Sequence, residues 1–156
     1  MTTCEISKEV EFDAGHRVMC HGSKCRNPHG HRYRVRVTCA GEIVDDPGAP
    51  DDGMLVDFGD LKALMTGLIH DVLDHGFICQ DTDPLLPALA ATNAEWDVDV
   101  EWRLIPFPYA PTAENLARWS WDVLQGPIET RFRDGLRLQL VEVWETPTSV
   151  AIFRGA

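Results

Sequence analysis

Residues 32–39 constrain the fold more than any other stretch of this chain. Tyr33, Val35, Val37 and Cys39 alternate with Arg32, Arg34, Arg36 and Thr38. A strict period of two with one apolar face describes a half-buried strand of an antiparallel sheet. An earlier stretch does the same less cleanly: Ile6, Lys8, Val10 and Phe12 alternate with Ser7, Glu9 and Glu11, which predicts a strand over residues 4–12 ending at Gly15. Residues 13–31, rich in Gly, His and Cys, connect the two and are longer than the commonest hairpin loops, which marks them as functional.

Further along, Gly41 to Gly53 is a turn-rich loop, and Asp57 or Asp60 is placed to cap a helix whose apolar stripe is Leu61, Leu64, Met65, Leu68 and Val72. Asp74-His75 follows its end. Residues 81–87 read as loop. Val98, Val100, Trp102 and Leu104 suggest an additional strand near residues 97–104, stopped by Pro106-Phe107-Pro108. Thr112 is an N-cap for a second helix with Leu116, Trp119, Ser120 and Val123 inward and Gly126-Pro127 as its stop. Leu136–Glu145 and Ser149–Phe153 close the chain as two strands. The order strand, strand, helix, helix, strand, strand contains no strand-helix-strand alternation, so an α+β domain with helices on one face of an antiparallel sheet is expected.

At 156 residues the length favours one domain, since a domain takes roughly 100–200 residues. Fourteen basic against 25 acidic side chains give a net charge of −11, a field that repels nucleic-acid phosphate and anionic membrane surface. A small anionic substrate stays compatible with it, because a few basic residues can reverse the potential inside one cleft. No apolar run approaches the ~20 residues of a membrane span, and the first residues do not have the pattern of a secretion signal, so a cytoplasmic protein is expected. Cysteines at 4, 20, 25, 39 and 79 are odd in number and irregular in spacing, which points to free thiols, a metal ligand or a nucleophile.

His29-Gly30-His31 leads directly into the second strand. Residues i and i+2 of extended chain point the same way about 6.6 Å apart, so two imidazoles can converge on one ion. His16 joins them if the two strands pair antiparallel, and three histidines with an open position form a catalytic zinc arrangement. Three loop histidines without a metal remain the alternative on spacing alone. Cys25, four residues before His29, is either a thiol activated near a dication or a fourth ligand that would make the site closed and structural. Cys20 and His21 read as incidental loop residues. Asp74-His75 is a carboxylate-oriented imidazole suited to proton transfer, or merely a solvated helix end. Glu114 is a first-turn acid complementing the helix dipole. Glu145 ends the strand Leu138–Trp144, where its carboxylate faces either a cleft or solvent.

Six short pieces, in order, carry a resemblance. They are Phe12-Asp13-Ala14-Gly15-His16, Cys25 to Tyr33, Val56-Asp57-Phe58, Leu73-Asp74-His75, Pro111 to Leu116, and Val143-Trp144-Glu145-Thr146. Together they resemble the 6-pyruvoyltetrahydropterin synthase family over nearly the whole chain. The short gap between Cys25 and His29 is most similar to the bacterial 6-carboxytetrahydropterin synthases.

The resemblance implies a tunnelling fold: a four-stranded antiparallel sheet with two helices on one face, assembled as a homohexamer of two stacked trimers. It implies residues 1–156 as one such domain, with 76–111 an insertion relative to the family core, where an added strand or lid would alter substrate access. It also implies a zinc-dependent lyase acting on 7,8-dihydroneopterin triphosphate to give 6-carboxy-5,6,7,8-tetrahydropterin, acetaldehyde and triphosphate in queuosine or 7-deazapurine biosynthesis. By the same likeness His16, His29 and His31 hold Zn2+, Cys25 removes a side-chain proton, and His75 oriented by Asp74 relays protons from the opposite side. Glu145 anchors the pterin, Thr112 and Glu114 close its pocket, and Lys24 and Arg26 offer positive charge to the triphosphate. The alternatives are the pyruvoyl-forming reaction on the same substrate and, further away, a non-catalytic zinc-binding module.

Overall fold

The computed structural model describes residues 3–92 and 101–155. Strands β1 (Thr3–His16) and β2 (His29–Glu42) pair antiparallel along their whole length, from Thr3 opposite Glu42 to His16 opposite His29. Both run several residues beyond the alternation that predicts them, because each keeps its ladder bonds until the connection begins. Strand β5 (Arg137–Thr146) lies against β2, and β6 (Ser149–Phe153) lies against β5, both antiparallel. These four strands are the expected antiparallel sheet.

Two further strands correct the expectation. β3 (Phe77–Gln80) runs parallel to β1, and β4 (Leu104–Phe107) runs parallel to β3, giving a mixed six-stranded sheet in the order β4-β3-β1-β2-β5-β6. Both are four residues long; alternation does not signal β3, and the strand expected near residues 97–104 overlaps β4 at Leu104. Of the strand expected near residues 97–104, Val98 and Val100 lie outside the described residues. Pro106, expected to end a strand, sits inside β4, which tolerates it because β4 is the sheet's edge. Residues 81–87 are not all loop: α3 (Leu85–Thr92) starts there, and the Leu85 N–H donates to the Asp83 carboxylate at 2.8 Å.

The first predicted helix exists but turns its stripe partway. Asp57 caps α1 (Phe58–Met65) by accepting from the Gly59 N–H, and the chain passes through a π-helical turn (Thr66–His70) into α2 (Asp71–Leu73). One residue beyond the 3.6 period shifts the inward face. Leu61, Leu64 and Met65 are buried as expected, but Ile69 and Leu73 then take the core positions assigned to Leu68 and Val72, and Val72 is exposed. The helix α4 (Ala113–Arg131), capped by Thr112, continues through Pro127 instead of stopping there. Leu124 and Ile128 are fully buried on either side of that proline, and their packing outweighs the ladder bond it removes. Trp121 and Leu124 are buried where Trp119 and Val123 were expected, the latter two only flanking the core.

The α1 and α4 helices cover the face carrying Val10, Phe12, Tyr33, Val35, Val37, Val141 and Val143. The other face carries the charge, with Arg36 paired to Glu9 and Arg32 to Asp13. A β-bulge opposite Thr38 and Cys39 skips Gln139, which returns Leu138 to the core side.

Candidate active site

The antiparallel pairing of β1 and β2 sets His16 directly opposite His29, with His31 two residues on along the same face. One ring nitrogen from each falls within 4.8 Å of the others. The Nε2 atoms of His16 and His29 stand 3.1 Å apart, close to the roughly 3.3 Å that two nitrogens subtend at a tetrahedral zinc. Main-chain carbonyls orient two of the rings: His16 Nδ1 bonds to the Pro111 carbonyl at 2.7 Å, and His29 Nδ1 to that of Asn27 at 2.8 Å. Each therefore carries its proton on Nδ1 and turns the Nε2 lone pair inward.

His31 Nε2 is buried and has no hydrogen-bond partner among the described residues. Burial, with the neighbouring imidazoles adding to it, pulls the His16 pKa down to about 4, and burial also lowers that of His31. Inward ring nitrogens and an orphaned buried nitrogen fit a metal ion. Cys25 does not belong to this group.

Gly30 lets the strands meet here. A Cβ on it would lie 2.8 Å from the Ala14 carbonyl oxygen, so any side chain between the two histidines would push β2 off β1.

Beside the cluster is a cavity of about 250 Å³ lined by His16, Cys25, Thr112, Glu114 and Glu145, among others. Cys25 rides on a short 3-10 turn (Lys24–Arg26) and is a free thiol. The N-terminal end of α4 borders the cavity through Thr112, Ala113 and Glu114, so backbone N–H groups and a positive dipole end lie beside it. Glu145 arrives at its position through a second bulge: in β6, Val150 pairs with Trp144 and Ser149 with Thr146, leaving Glu145 out of the ladder. Its Oε1 lies 3.6 Å from His16 Nε2.

The model of the 6-pyruvoyl tetrahydropterin synthase family matches residues 5–156. The chain belongs to this family. It is 32% identical over 145 residues to a 6-carboxy-5,6,7,8-tetrahydropterin synthase of Haemophilus influenzae, covering 93% of this chain and 94% of that one. It is 31% identical over 167 residues to the human 6-pyruvoyl tetrahydrobiopterin synthase, covering 97% of this chain and 91% of that one. Among solved structures it resembles an uncharacterized protein from Wolinella succinogenes with a TM-score of 0.78, at 26% identity and over the whole of both chains.

Not all the residues singled out in this pterin synthase family member share the first cavity. His75 lines a second one with His29, His31, Asp13 and Arg32, so the histidine cluster stands between the two. Asp74 accepts the Asp13 backbone N–H through Oδ1 at 3.0 Å and faces His75 Nδ1 through Oδ2 at 2.6 Å. Those two bonds, the first most strongly, hold its carboxyl below the usual aspartate range. His75 has a left-handed backbone (φ 55°), a conformation that favours glycine, pinned by its own N–H to the Asp13 carbonyl at 2.7 Å.

Lys24 and Arg26 are exposed beside Cys25 and are not among the residues lining either cavity. His21, read as incidental, does line the first cavity. Its Nδ1 accepts the Ser23 N–H at 3.0 Å, a loop closure that nothing in the residue order signals.

Proposed function

We propose that this protein is a 6-carboxy-5,6,7,8-tetrahydropterin synthase: a zinc-dependent lyase that converts 7,8-dihydroneopterin triphosphate to the carboxypterin, acetaldehyde and triphosphate. The observation that carries the reading is the three-histidine cluster with a free thiol and a carboxylate on one adjoining cavity. Zinc held by His16, His29 and His31 would acidify the hydroxyls of the substrate side chain and stabilise oxyanion character there.

In this reading Glu145 accepts hydrogen bonds from the amino and amide N–H groups of the pterin, with both carboxylate oxygens used at once. Thr112 and Glu114 bound the same cavity. The Cys25 thiolate takes a proton from the substrate side chain, and His75, held by Asp74, exchanges protons from the other side of the cluster. Cys25 standing outside the ligand group supports an open catalytic centre over a closed structural one. The similarity to several carboxypterin synthases supports that product over the pyruvoyl one. Assembly into a hexamer belongs to the same reading, with exposed Val150 and Ile152 on the edge strand β6 available to a second copy.

The test is mass analysis of the products formed by zinc-loaded protein from 7,8-dihydroneopterin triphosphate under anaerobic, reducing conditions. Carboxytetrahydropterin with acetaldehyde is expected. Pyruvoyltetrahydropterin would transfer the same site to the alternative reaction, and no turnover by fully zinc-loaded protein would overturn the reading.

A further inference from the structure

Among the described residues from Gly76 to Pro111 no side chain enters the chemistry above, yet this stretch grips the end of β1 at four points. The Gly76 carbonyl accepts the Gly15 N–H at 2.9 Å. β3 pairs Phe77 with Gly15 and Ile78 with His16. The Pro111 carbonyl orients the His16 ring. The fourth contact is an ion pair between Arg17, bonded directly to His16, and Asp83, which is 1% exposed.

That pair is fully formed. Arg17 Nε donates to Asp83 Oδ2 at 2.7 Å and Nη2 donates to Oδ1, while Oδ1 also accepts the Leu85 N–H. A carboxylate this deeply buried persists only with such a fork and a further donor. The Arg17 side chain is 20% exposed, so its charge has little water to turn to.

His16 is the member of the cluster that does not sit on β2. Its distance from His29 and His31 depends on the last rung of the β1–β2 ladder, and a terminal rung is where strands open first. Arg17 is the first residue past that rung. Fixing it to a buried acid keeps His16 from swinging out with the loop that follows.

Resting on the three histidines as a metal centre, we propose that Asp83, through Arg17, is a positioning residue that holds His16 in register with His29 and His31 for metal binding. The described residues between 76 and 111 thus act as a brace on the metal site, and β3 and β4 are the added strand that the sequence offered beside a lid.

The test is the zinc affinity of the purified full-length protein by chelator competition, at a temperature where circular dichroism shows every variant folded. Asp83→Asn keeps the volume and an acceptor for the Leu85 N–H but removes the charge. It is expected to raise the zinc dissociation constant about tenfold, the low end for groups that support a metal ligand. Arg17→Lys replaces the fork by a single point of contact and should raise it less; it carries the test if Asp83→Asn does not fold.

Leu138→Ala, at the far end of the sheet beside Cys39, is the control: it should lower thermal stability and leave zinc affinity unchanged. Affinity indistinguishable from wild type in both brace variants overturns the proposal, and so does a fall that Leu138→Ala reproduces. A wild-type protein that takes up no zinc overturns the metal-centre reading and the brace together.

Discussion

Replacing Asp74 with asparagine changes one atom's chemistry and leaves the shape alone. The carboxylate now accepts from two donors, the Asp13 backbone N–H at 3.0 Å and His75 Nδ1 at 2.6 Å. A carboxylate can do this with either oxygen, whereas an amide has one acceptor oxygen and one NH2. The main-chain donor is fixed in β1, so the amide oxygen is expected to stay with Asp13 and turn the NH2 toward His75. Nδ1 must then become an acceptor, and the His75 proton moves to Nε2.

Little stability is at stake in Asp74→Asn, because the buried backbone donor keeps its partner. Asp74→Ala loses both bonds, which at a quarter-exposed site amounts to about 1–2 kcal/mol, or about 2–8 °C in Tm for a domain of this length. Function should respond in the opposite proportion. If His75 exchanges protons with substrate, the wrong tautomer lowers kcat by about 10²–10⁴ in Asp74→Asn with zinc content unchanged. Long-range nitrogen-15 correlation spectra of the ring report the tautomer, and steady-state kinetics report kcat. A flipped tautomer with unaltered kcat would refute the role of His75; an unflipped tautomer would refute the hydrogen-bond argument itself.

Cys25→Ala should retain one zinc per subunit by metal analysis and lose turnover, whereas loss of zinc would make the thiol a ligand. Glu145→Gln should weaken pterin binding in calorimetry while leaving zinc and assembly unchanged, since the amide puts a donor against a donor. Gly76→Ala sets a Cβ 2.1 Å from Ile105 Cδ1 and 3.1 Å from the Leu73 carbonyl, so melting should show a loss of about 1–3 kcal/mol, part of it recovered by adding Ile105→Val. The Arg17 guanidinium, ahead of the Leu85 N–H, holds the Asp83 carboxyl below the usual aspartate value. The stability it contributes is present above about pH 4 and is lost as the pH falls from there through its lower folded value. Urea titrations should therefore show the gap between wild type and Asp83→Asn narrowing below pH 4; a constant gap would count against the ion pair.

Residue order alone determined the four antiparallel strands, the two main helices and the three histidines. The first two strands and the helices are periodic, and a period of two over residues 32–39 fixes both a strand and which face it buries. Once β1 and β2 are strands paired antiparallel through one connection, His16 must end near His29, so the histidine cluster was legible before any coordinates. The Thr112 cap was legible for the same local reason, and the first cap was narrowed to Asp57 or Asp60, of which the structure uses Asp57.

Tertiary structure decided what happens where the period breaks. The extra residue of the π turn moves the inward face from Leu68 and Val72 to Ile69 and Leu73, because the core accepts only one of two adjacent apolar stripes. The bulges at Gln139 and Glu145 depend on pairing with other strands, and nothing within β5 marks them. Pro127 inside α4 and Pro106 inside β4 are tolerated because of what packs beside them and which edge they occupy. Strands β3 and β4 and the Arg17–Asp83 pair join residues far apart in the chain. Contacts of that kind leave no periodic trace, because each is specified by two positions that only the folded chain brings together.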